Sequence, residues 1–245
     1  MKASEKVSFI SNWIKSYVDT MPKKAQSLVI GISGGIDSSV SSTLSAMTGL
    51  KTIVLTMPIK QKPSHHDLSL KHRDWLLKKF KNVEAFTINL DELFNVFSSS
   101  LSNFSNEHGF ANSRARLRMT TLYQVAAANS GIVVGTGNKV EDFGVGFYTK
   151  YGDGGVDISP IADCNKSEVW EMGRELGILN EIIEAAPTDG LWDDGRTDEG
   201  QLGFKYQELE EAMENSDSKF RAEYEKIRKQ NLHKMEPIPV CKIPR

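Results

Sequence analysis

The sequence predicts a Rossmann-like α/β fold of three layers, in which a parallel sheet of five strands, ordered 3-2-1-4-5, is covered by helices on both faces. Three observations lead to this prediction. Short apolar and β-branched runs alternate with segments of helical periodicity, a glycine-rich turn follows the first strand, and polar residues follow the strand ends. Because 39% of the 245 residues are hydrophobic and no low-complexity linker interrupts them, we expect a single domain over residues 1–245.

The first half of the chain alternates helices and strands. Residues 4–19 carry apolar side chains at helical spacing and predict an amphipathic helix that ends before Pro22. Buried strands are predicted at 27–33, 51–57 and 83–90. Helices are predicted from the glycine-rich turn to about residue 47, at 66–80 and at 91–102. Since each strand is followed by a helix, the connections are right-handed crossovers between parallel strands.

The second half continues the alternation and adds two loops. We predict a long helix at 112–129, a fourth strand at 132–135, a short fifth strand at 156–161 and a helix at 167–176. Glycines crowd the segment 144–157, which indicates a loop built for close contact with a ligand. Residues 187–200, rich in acidic residues and glycine, predict an exposed loop or a mobile lid. Two polar helices and a proline-rich tail finish the chain.

Composition and charge argue against several classes of protein. Lys and Arg total 30 against 32 for Asp and Glu, which gives a net charge of -2 and disfavours a general nucleic-acid binder. Residues 1–22 lack the continuous apolar core of a signal peptide, and no stretch approaches a membrane span. Cys164 and Cys241 lie far apart without metal-binding spacing and are interpreted as free thiols. We therefore expect a cytoplasmic protein that binds a small anion rather than nucleic acid or a membrane.

The turn after the first strand, Ser33-Gly34-Gly35-Ile36-Asp37-Ser38, predicts a phosphate site. Its two glycines allow positive φ and a close approach of the backbone, while free N–H groups of the turn and helix start point at the anion. The turn lacks the lysine of the G-x-x-x-x-G-K-[ST] loop and carries Asp37 instead. A carboxylate among phosphates is favourable when a hard cation such as Mg2+ lies between them. The alternative is a serine-capped turn in an ordinary α/β protein.

A second carboxylate, Glu141, follows the fourth predicted strand. If strands one and four are neighbours, Asp37 and Glu141 converge over one crevice beyond the carboxyl ends of the strands, where such sheets bind ligands. We predict that the two acids share a Mg2+ ion. His65 and His66 form another potential metal pair, but adjacent residues point in different directions and no third ligand is evident, so we interpret them as surface residues.

Further blocks of residues form a more specific pattern. The phosphate turn with its flanks, 31–38, is followed by Gly135-Thr136-Gly137-Asn138-Lys139-Val140-Glu141 and then by Phe147-Tyr148-Thr149-Lys150-Tyr151-Gly152-Asp153-Gly154-Gly155-Val156-Asp157. The other blocks are 114–119, Asn165-Lys166, 186–188 and His233-Lys234. In this order, over most of the chain, the blocks resemble the ammonia-dependent NAD synthetases, members of the adenine nucleotide α-hydrolase superfamily. The first block alone identifies only the superfamily.

The resemblance implies a ligase for the final step of NAD biosynthesis. The nicotinate carboxylate of deamido-NAD attacks the α-phosphorus of ATP, pyrophosphate leaves, and ammonia displaces AMP from the acyl adenylate. The implied catalytic residues are Asp37, Glu141 and Lys166, with Mg2+ held by the two acids. The implied ATP contacts are Gly31, Ile32, Ser33, Gly34, Gly35, Ile36, Asp37, Ser38, Thr136, Lys166 and Thr188. The implied deamido-NAD contacts are Arg116, Lys150, Asp157, His233 and Lys234.

The same resemblance implies ammonia, free or passed from a partner, as nitrogen donor and a homodimer as assembly. The motifs occupy nearly the whole sequence, so we expect no glutaminase domain. Ammonium dominates at neutral pH, and Asp153 is the candidate base that removes a proton from it. Between Glu141 and Phe147 the chain has one residue more than the family pattern, which leaves Asp142 as an alternative metal ligand. Segment 60–67 is also more basic than that pattern.

Other interpretations stay open from the sequence. Arg114, Arg116 and Arg118 lie at the start of the predicted helix 112–129, where cations oppose the helix dipole, and so indicate a bound anion; the alternative is a solvated helix face. The nearest rival function is another enzyme with this loop, GMP-forming or tRNA-modifying. A non-catalytic nucleotide-binding module is a third possibility, but it would not need both acids together with Lys166 and Lys150.

Overall fold

A parallel sheet lies at the centre of the fold. The computed structural model describes residues 1–60, 63–188, 190–192 and 196–244, without the side chains of 63–65. Within these ranges the sheet has four strands, β1 Ser27–Gly31, β2 Lys51–Thr56, β3 Val83–Thr87 and β4 Gly131–Val133. They are all parallel and follow the order β3-β2-β1-β4. The predicted fold class and the order of these four strands are confirmed.

The predicted fifth strand is wrong, and the reason is local. Only an isolated parallel bridge joins Val134 to Ile158 beside β4. The N–H of Val133, which a longer ladder would use, donates instead to Asp157 Oδ2 at 2.7 Å. Pro160 follows shortly afterwards and has no N–H to offer. Segment 156–161 therefore passes along the sheet edge without extending the ladder.

Helices cover both faces of the sheet. Their bounds are α1 Ala3–Thr20, α2 Ile36–Met47, α3 Pro63–Lys79, α4 Asp91–Ser100, α5 Glu107–Ala128, α6 Lys166–Leu176, α7 Asn180–Ile183, α8 Asp198–Leu202, α9 Tyr206–Glu214 and α10 Arg221–Met235. A 3-10 turn spans Ser102–Phe104. The longer helices confirm the predictions, whereas α7, α8 and the 3-10 turn are too short to show a helical period. None of the described helices is long and apolar enough to cross a membrane.

The strands divide the hydrophobic core into two layers. Along β1, Leu28 and Ile30 belong to the cluster beneath α1, α2 and α6, while Val29 faces the cluster beneath α4 and α5. This period of two buries both faces of a central parallel strand. A third, smaller cluster lies under α9 and α10, around Val140 and Tyr206. The first two clusters pack the helices onto the two faces of the sheet, and the third packs α9 and α10 against the segment that contains Val140.

A π-helix at Lys139–Val145 was not predicted from the sequence. A π-turn holds one more residue than an α-turn, and this one carries Glu141. Gly146 ends this helix with φ +70°, a conformation that favours glycine. Side chains of α10 satisfy its last carbonyls: Arg228 donates to Gly144 O at 2.7 Å and Asn231 donates to Val145 O at 3.0 Å.

We expect one buried histidine to make folding sensitive to acid. His72 of α3 is fully buried with its Nε2 2.9 Å from Ser42 Oγ, and burial lowers the pKa of His72 to about 4. Its folded-state pKa lies below the unfolded value, so its contribution to stability is complete above about pH 6.5 and is lost as the pH falls towards 4; its full size is about 3 kcal/mol. H72Q should lose this component of the pH dependence, as measured by urea unfolding between pH 7 and 4.5.

The control for this measurement is H108Q, which changes an exposed histidine of α5. H108Q should show the wild-type loss of stability on acidification. If H72Q and wild type lose the same free energy of unfolding between pH 7 and 4.5, His72 is not an origin of acid sensitivity.

Candidate active site

The phosphate turn joins β1 to α2 and is held by its own serines. The Ser33 N–H donates to Ser38 Oγ at 3.1 Å, and the Gly35 N–H donates to Ser33 Oγ at 3.2 Å. Gly34 has φ +89°, which a residue with a side chain rarely adopts. Gly35 is the N-cap of α2 and contributes no capping side chain, so the first N–H groups of this 12-residue helix are available to an anion.

Two carboxylates and a lysine meet beside this turn. Lys166 Nζ lies 2.6 Å from Asp37 Oδ2 and 2.7 Å from Glu141 Oε1. Asp37 comes from the first turn of α2, Glu141 from the π-helix and Lys166 from the first position of α6. The Lys166 side chain is only 1% exposed, against 18% for Asp37 and 14% for Glu141. The structure thus brings the two predicted acids together around one buried ammonium.

Asn138 and Tyr206 complete this cluster, although sequence analysis did not single them out. Asn138 donates from Nδ2 to Asp37 Oδ1 at 3.0 Å, and its Oδ1 accepts the N–H groups of Val140 and Glu141, both at 3.0 Å. It therefore caps the π-helix and orients Asp37 at once. Asn138 belongs to the Gly-Thr-Gly-Asn block, and its place in that block could have identified it as a site residue. Tyr206 of α9 donates to Glu141 Oε1 at 2.5 Å, and no feature of the local sequence predicts that contact.

Burial and charge set the protonation of the cluster. Burial raises the pKa of Asp37, and the neighbouring Glu141 charge raises it further, against the pull of Lys166 and Asn138. Burial also opposes ionisation of Glu141, but the Lys166 ammonium and the hydrogen bonds from Tyr206 and Asn138 outweigh it and lower its pKa. Burial acts to lower the pKa of Lys166, and the two acids outweigh that effect and raise it. Lys166 is a permanent cation at neutral pH.

Asp142 and Asp153 form a second pair of acids in the same cavity. The Asp142 carboxylate packs against Gly137, where any Cβ would overlap it. Burial, followed by the charges of Asp153, Glu141 and Asp37, raises the pKa of Asp142 well above its usual value. Asp153 Oδ1 accepts the Thr149 N–H at 3.0 Å. In this structure the ion pair of Lys166 is with Glu141 and not with Asp142, the residue that follows Glu141 in the sequence.

One cavity of about 390 Å³ is lined by every residue predicted to contact ATP. The phosphate turn, Thr136, Lys166 and Thr188 line it together with Pro187 and Leu191 from the predicted lid. Residues 189 and 193–195 of that lid, and residues 61 and 62 with the side chains of 63–65 in the basic segment, lie outside the described residues. His66 is half-buried in α3, and the interpretation of His65 as a surface residue lies outside them as well.

The residues predicted to contact deamido-NAD are not among those that line this cavity. Four of them are linked to one another: Arg116 Nε donates to Lys150 O at 3.2 Å, Lys150 Nζ donates to His233 O at 3.1 Å, and Lys234 is adjacent. The fifth, Asp157, sits at the sheet edge and accepts the Tyr123 hydroxyl at 2.9 Å. Burial and Asp157 raise the pKa of Tyr123 to about 12. The structure therefore brings together four of the five residues predicted to contact deamido-NAD.

The arginines of α5 correct one part of the sequence analysis. Their helix begins at Glu107, where the Asn106 side chain accepts the Gly109 N–H at 2.7 Å, so the arginines lie inside the helix and the helix-start argument is wrong for them. A solvated face is also wrong for Arg114, which is 9% exposed. Arg114 donates to Leu191 O at 2.8 Å, Arg118 Nε donates to Met57 O at 3.0 Å, and Arg116 is exposed.

The fold and the phosphate turn are those of nucleotide-binding α/β proteins, in which the ligand sits beyond the carboxyl ends of the parallel strands. A sequence model described as NAD synthase matches residues 6–243. The chain therefore belongs to the NAD synthase family.

Relatives and solved structures resemble the chain over nearly its whole length. It is 38% identical over 211 residues to the NH3-dependent NAD+ synthetase of Carboxydothermus hydrogenoformans, covering 84% of this chain and 83% of that protein. It is 37% identical over 241 residues to the enzyme of the same name from Mesoplasma florum, covering 96% and 95%. The structure of NMN synthetase from Francisella tularensis superposes with a TM-score of 0.91 at 31% identity, covering 99% of this chain and all of that one.

Removing the ammonium should expose the repulsion between the acids. In K166M, Asp37 and Glu141 would face each other without a buried cation, and the free energy of unfolding at pH 7 should fall by roughly 3 kcal/mol. The loss should shrink at pH 4.5, because protonated acids no longer repel. Urea unfolding at both pH values measures this difference. K229M, at an exposed lysine of α10, is the matched control; an equal loss in K166M at both pH values would contradict the account.

Proposed function

We propose that this protein forms NAD from deamido-NAD with ATP and ammonia, releasing AMP and pyrophosphate. The observation that carries the proposal is the convergence of Asp37, Glu141 and Lys166 beside the phosphate turn, in a chain of the NAD synthase family. Ammonia as the nitrogen donor is supported by the names of the curated relatives, which are NH3-dependent enzymes.

The donor set of the site fits Mg2+. Among the described residues no group of three or more His, Cys, Asp or Glu side chains forms a complete metal cage. Mg2+ is usually held by one or two carboxylates, with phosphate and water oxygens as the remaining ligands, and Asp37 with Glu141 supplies that number. These two residues would hold the ion, and the ion would compensate the charge of the leaving pyrophosphate.

The chain's own groups support each step of the reaction. N–H groups of the turn at 33–38 and of the start of α2 hold the phosphates, and Lys166 adds a fixed positive charge. A nicotinate carboxylate oxygen bonds to the α-phosphorus while the bond to the pyrophosphate oxygen breaks. The ammonia nitrogen then bonds to the carboxyl carbon, and AMP leaves with the oxygen of the broken C–O bond. Asp153 takes the proton that ammonium must lose.

The nicotinate nucleotide is assigned to the residues that follow the glycine-rich loop. Arg116, Lys150, His233 and Lys234 form a linked group, in which Arg116 and the two lysines supply cations to its phosphates. Asp157 lies at the neighbouring sheet edge. Lys150 and Lys234 at present donate to backbone carbonyls of the loop and of α10, contacts that a phosphate can replace. Burial lowers the pKa of Lys234, and Asp153 and Asp142 oppose that effect.

Assembly and location complete the proposal. A homodimer is supported by large apolar side chains exposed on α4 and the 3-10 turn, at Leu93, Val96 and Phe104, which are 50%, 61% and 80% exposed. A cytoplasmic location is supported by the two free cysteines, of which Cys164 is buried with its pKa raised to about 11 by burial and by Glu168. We propose no nucleic-acid or membrane partner.

A second candidate function differs only in the size of the nucleotide. The similar structure from Francisella tularensis is named an NMN synthetase, and it matches nearly all of both chains at a TM-score of 0.91. Amidation of nicotinate mononucleotide uses the same carboxylate, the same ATP chemistry and the same ammonia. Only the contacts to the distal adenylate half distinguish the two substrates.

The activity is tested by following AMP and pyrophosphate with purified protein, ATP, Mg2+ and ammonium. Deamido-NAD should give one AMP and one NAD per turnover, with kcat/KM above that for nicotinate mononucleotide. D37N should lower kcat by about 100-fold or more, because it removes half of the proposed metal site.

Three results would count against the proposed function. A higher kcat/KM with nicotinate mononucleotide would favour the second candidate. AMP formation that ignores both nucleotides would contradict both candidates. Wild-type rates in D37N would remove Asp37 from the mechanism, and K229M serves as the variant with an expected wild-type rate.

The effect of replacing Asp153 on kcat/KM for ammonium should depend on pH. D153N should lower kcat/KM for ammonium at pH 7 by about 100-fold, the usual size of general-base assistance. The deficit should shrink at alkaline pH, where ammonia is already unprotonated. The pH profiles of D153N and wild type, recorded with saturating ATP and nicotinate nucleotide, measure this. A deficit of constant size across the profile, or none, would contradict a role for Asp153 as base.

A further inference from the structure

Tyr206 is the buried tyrosine that touches both Glu141 and Lys166. Its hydroxyl donates to Glu141 Oε1 at 2.5 Å, and Lys166 Nζ lies over its ring, 4.8 Å from the centroid. The side chain is 1% exposed, and its ring packs edge-on against Trp170 with the centroids 5.8 Å apart. Tyr206 begins α9, an element that holds no other residue of the proposed mechanism.

The hydrogen bonds from Lys166 and Tyr206 to Glu141 end on the same oxygen atom. Lys166 and Tyr206 both donate to Oε1, so Oε2 receives neither of them. A glutamate has three rotatable side-chain bonds, and two donors on one oxygen fix the plane of its carboxylate. Partners of this kind orient metal ligands and tune their basicity. The arrangement therefore leaves Oε2 without either of these hydrogen bonds, in a residue that lines the cavity.

The same hydroxyl lies near a second carboxylate. Asp198 Oδ2 is 3.3 Å from the Tyr206 oxygen, and Asp198 is the first residue of α8, at the end of the predicted lid. A phenol carries one proton and donates to one carboxylate at a time, and the 2.5 Å distance assigns that proton to Glu141. The backbone N–H of Tyr206 donates to Glu199 Oε1 at 3.1 Å, which fixes α9 to the start of α8.

We propose that Tyr206 is a positioning residue of the metal site: its hydroxyl orients the Glu141 carboxylate for the divalent cation that accompanies ATP. Of the proposed function, this inference requires only that the site binds ATP with a divalent cation. It holds whether the second substrate is deamido-NAD or nicotinate mononucleotide. Tyr206 acts through Glu141 and touches no reacting atom. A structural role alone would instead make Tyr206 a packing residue of the small cluster under α9 and α10, like Tyr224.

The test measures metal binding without turnover. Mn2+ is titrated into wild type and Y206F in the presence of α,β-methylene-ATP, which is not cleaved between its first two phosphorus atoms, and free Mn2+ is counted by electron paramagnetic resonance. Y206F removes one oxygen and keeps the ring against Trp170. Its Mn2+ affinity should fall about 10-fold or more. The affinity for the nucleotide without metal should change less than twofold.

Two further variants separate positioning from packing. Y224F removes the hydroxyl of a buried tyrosine in the same cluster and should bind Mn2+ like wild type. In an E141Q background, Y206F should cost no further Mn2+ affinity, since Tyr206 acts through Glu141. Wild-type Mn2+ affinity in Y206F, or the same loss with and without E141Q, would overturn the proposal. Failure of the proposed metal site itself would show separately, as wild type that binds no Mn2+ with the nucleotide.

Discussion

The buried ammonium of Lys166 between Asp37 and Glu141 is the interaction on which the site depends. It joins three elements that are distant in sequence: the start of α2, the π-helix and the start of α6. Two carboxylates this close and this buried would repel each other without a cation, and at least one would take up a proton. With Lys166 in place the acids stay together, so the parallel sheet can present both beside the phosphate turn. The metal and triphosphate site that we propose depends on this arrangement.

The sequence predicts much of this arrangement because it is encoded locally. The order of the four strands follows from the alternation of strands and helices, and the convergence of Asp37 with Glu141 follows from β1 and β4 being neighbours. The prediction of a fifth strand was wrong because the Asp157 side chain accepts the Val133 N–H, which a longer ladder would use. Such a tertiary contact is not visible in the hydrophobic pattern of the sequence. The π-helix was not predicted. The role of Tyr206 was not predicted either, because its partner Glu141 is 65 positions away in the sequence.

The C-terminal helix α10 contributes more than packing. Arg228 and Asn231 donate to the last carbonyls of the π-helix, and Lys234 donates to Tyr148 O at 2.9 Å in the glycine-rich loop. These contacts fix the segment that carries Glu141 from its C-terminal side, while Asn138 caps it from the other. A polar helix with few apolar residues thus holds the element bearing one of the two central acids. From its sequence we predicted a polar helix, and the resemblance singled out only His233 and Lys234 in it.

A crystal structure with Mn2+ and α,β-methylene-ATP, in which anomalous scattering locates the metal, is the most direct test of a metal site shared by Asp37 and Glu141. We expect one Mn2+ bonded to a carboxylate oxygen of Asp37, to a carboxylate oxygen of Glu141 and to phosphate oxygens of the nucleotide. The triphosphate should lie along the turn at 33–38. A metal bound elsewhere, or a triphosphate that leaves the turn empty, would contradict the central claim.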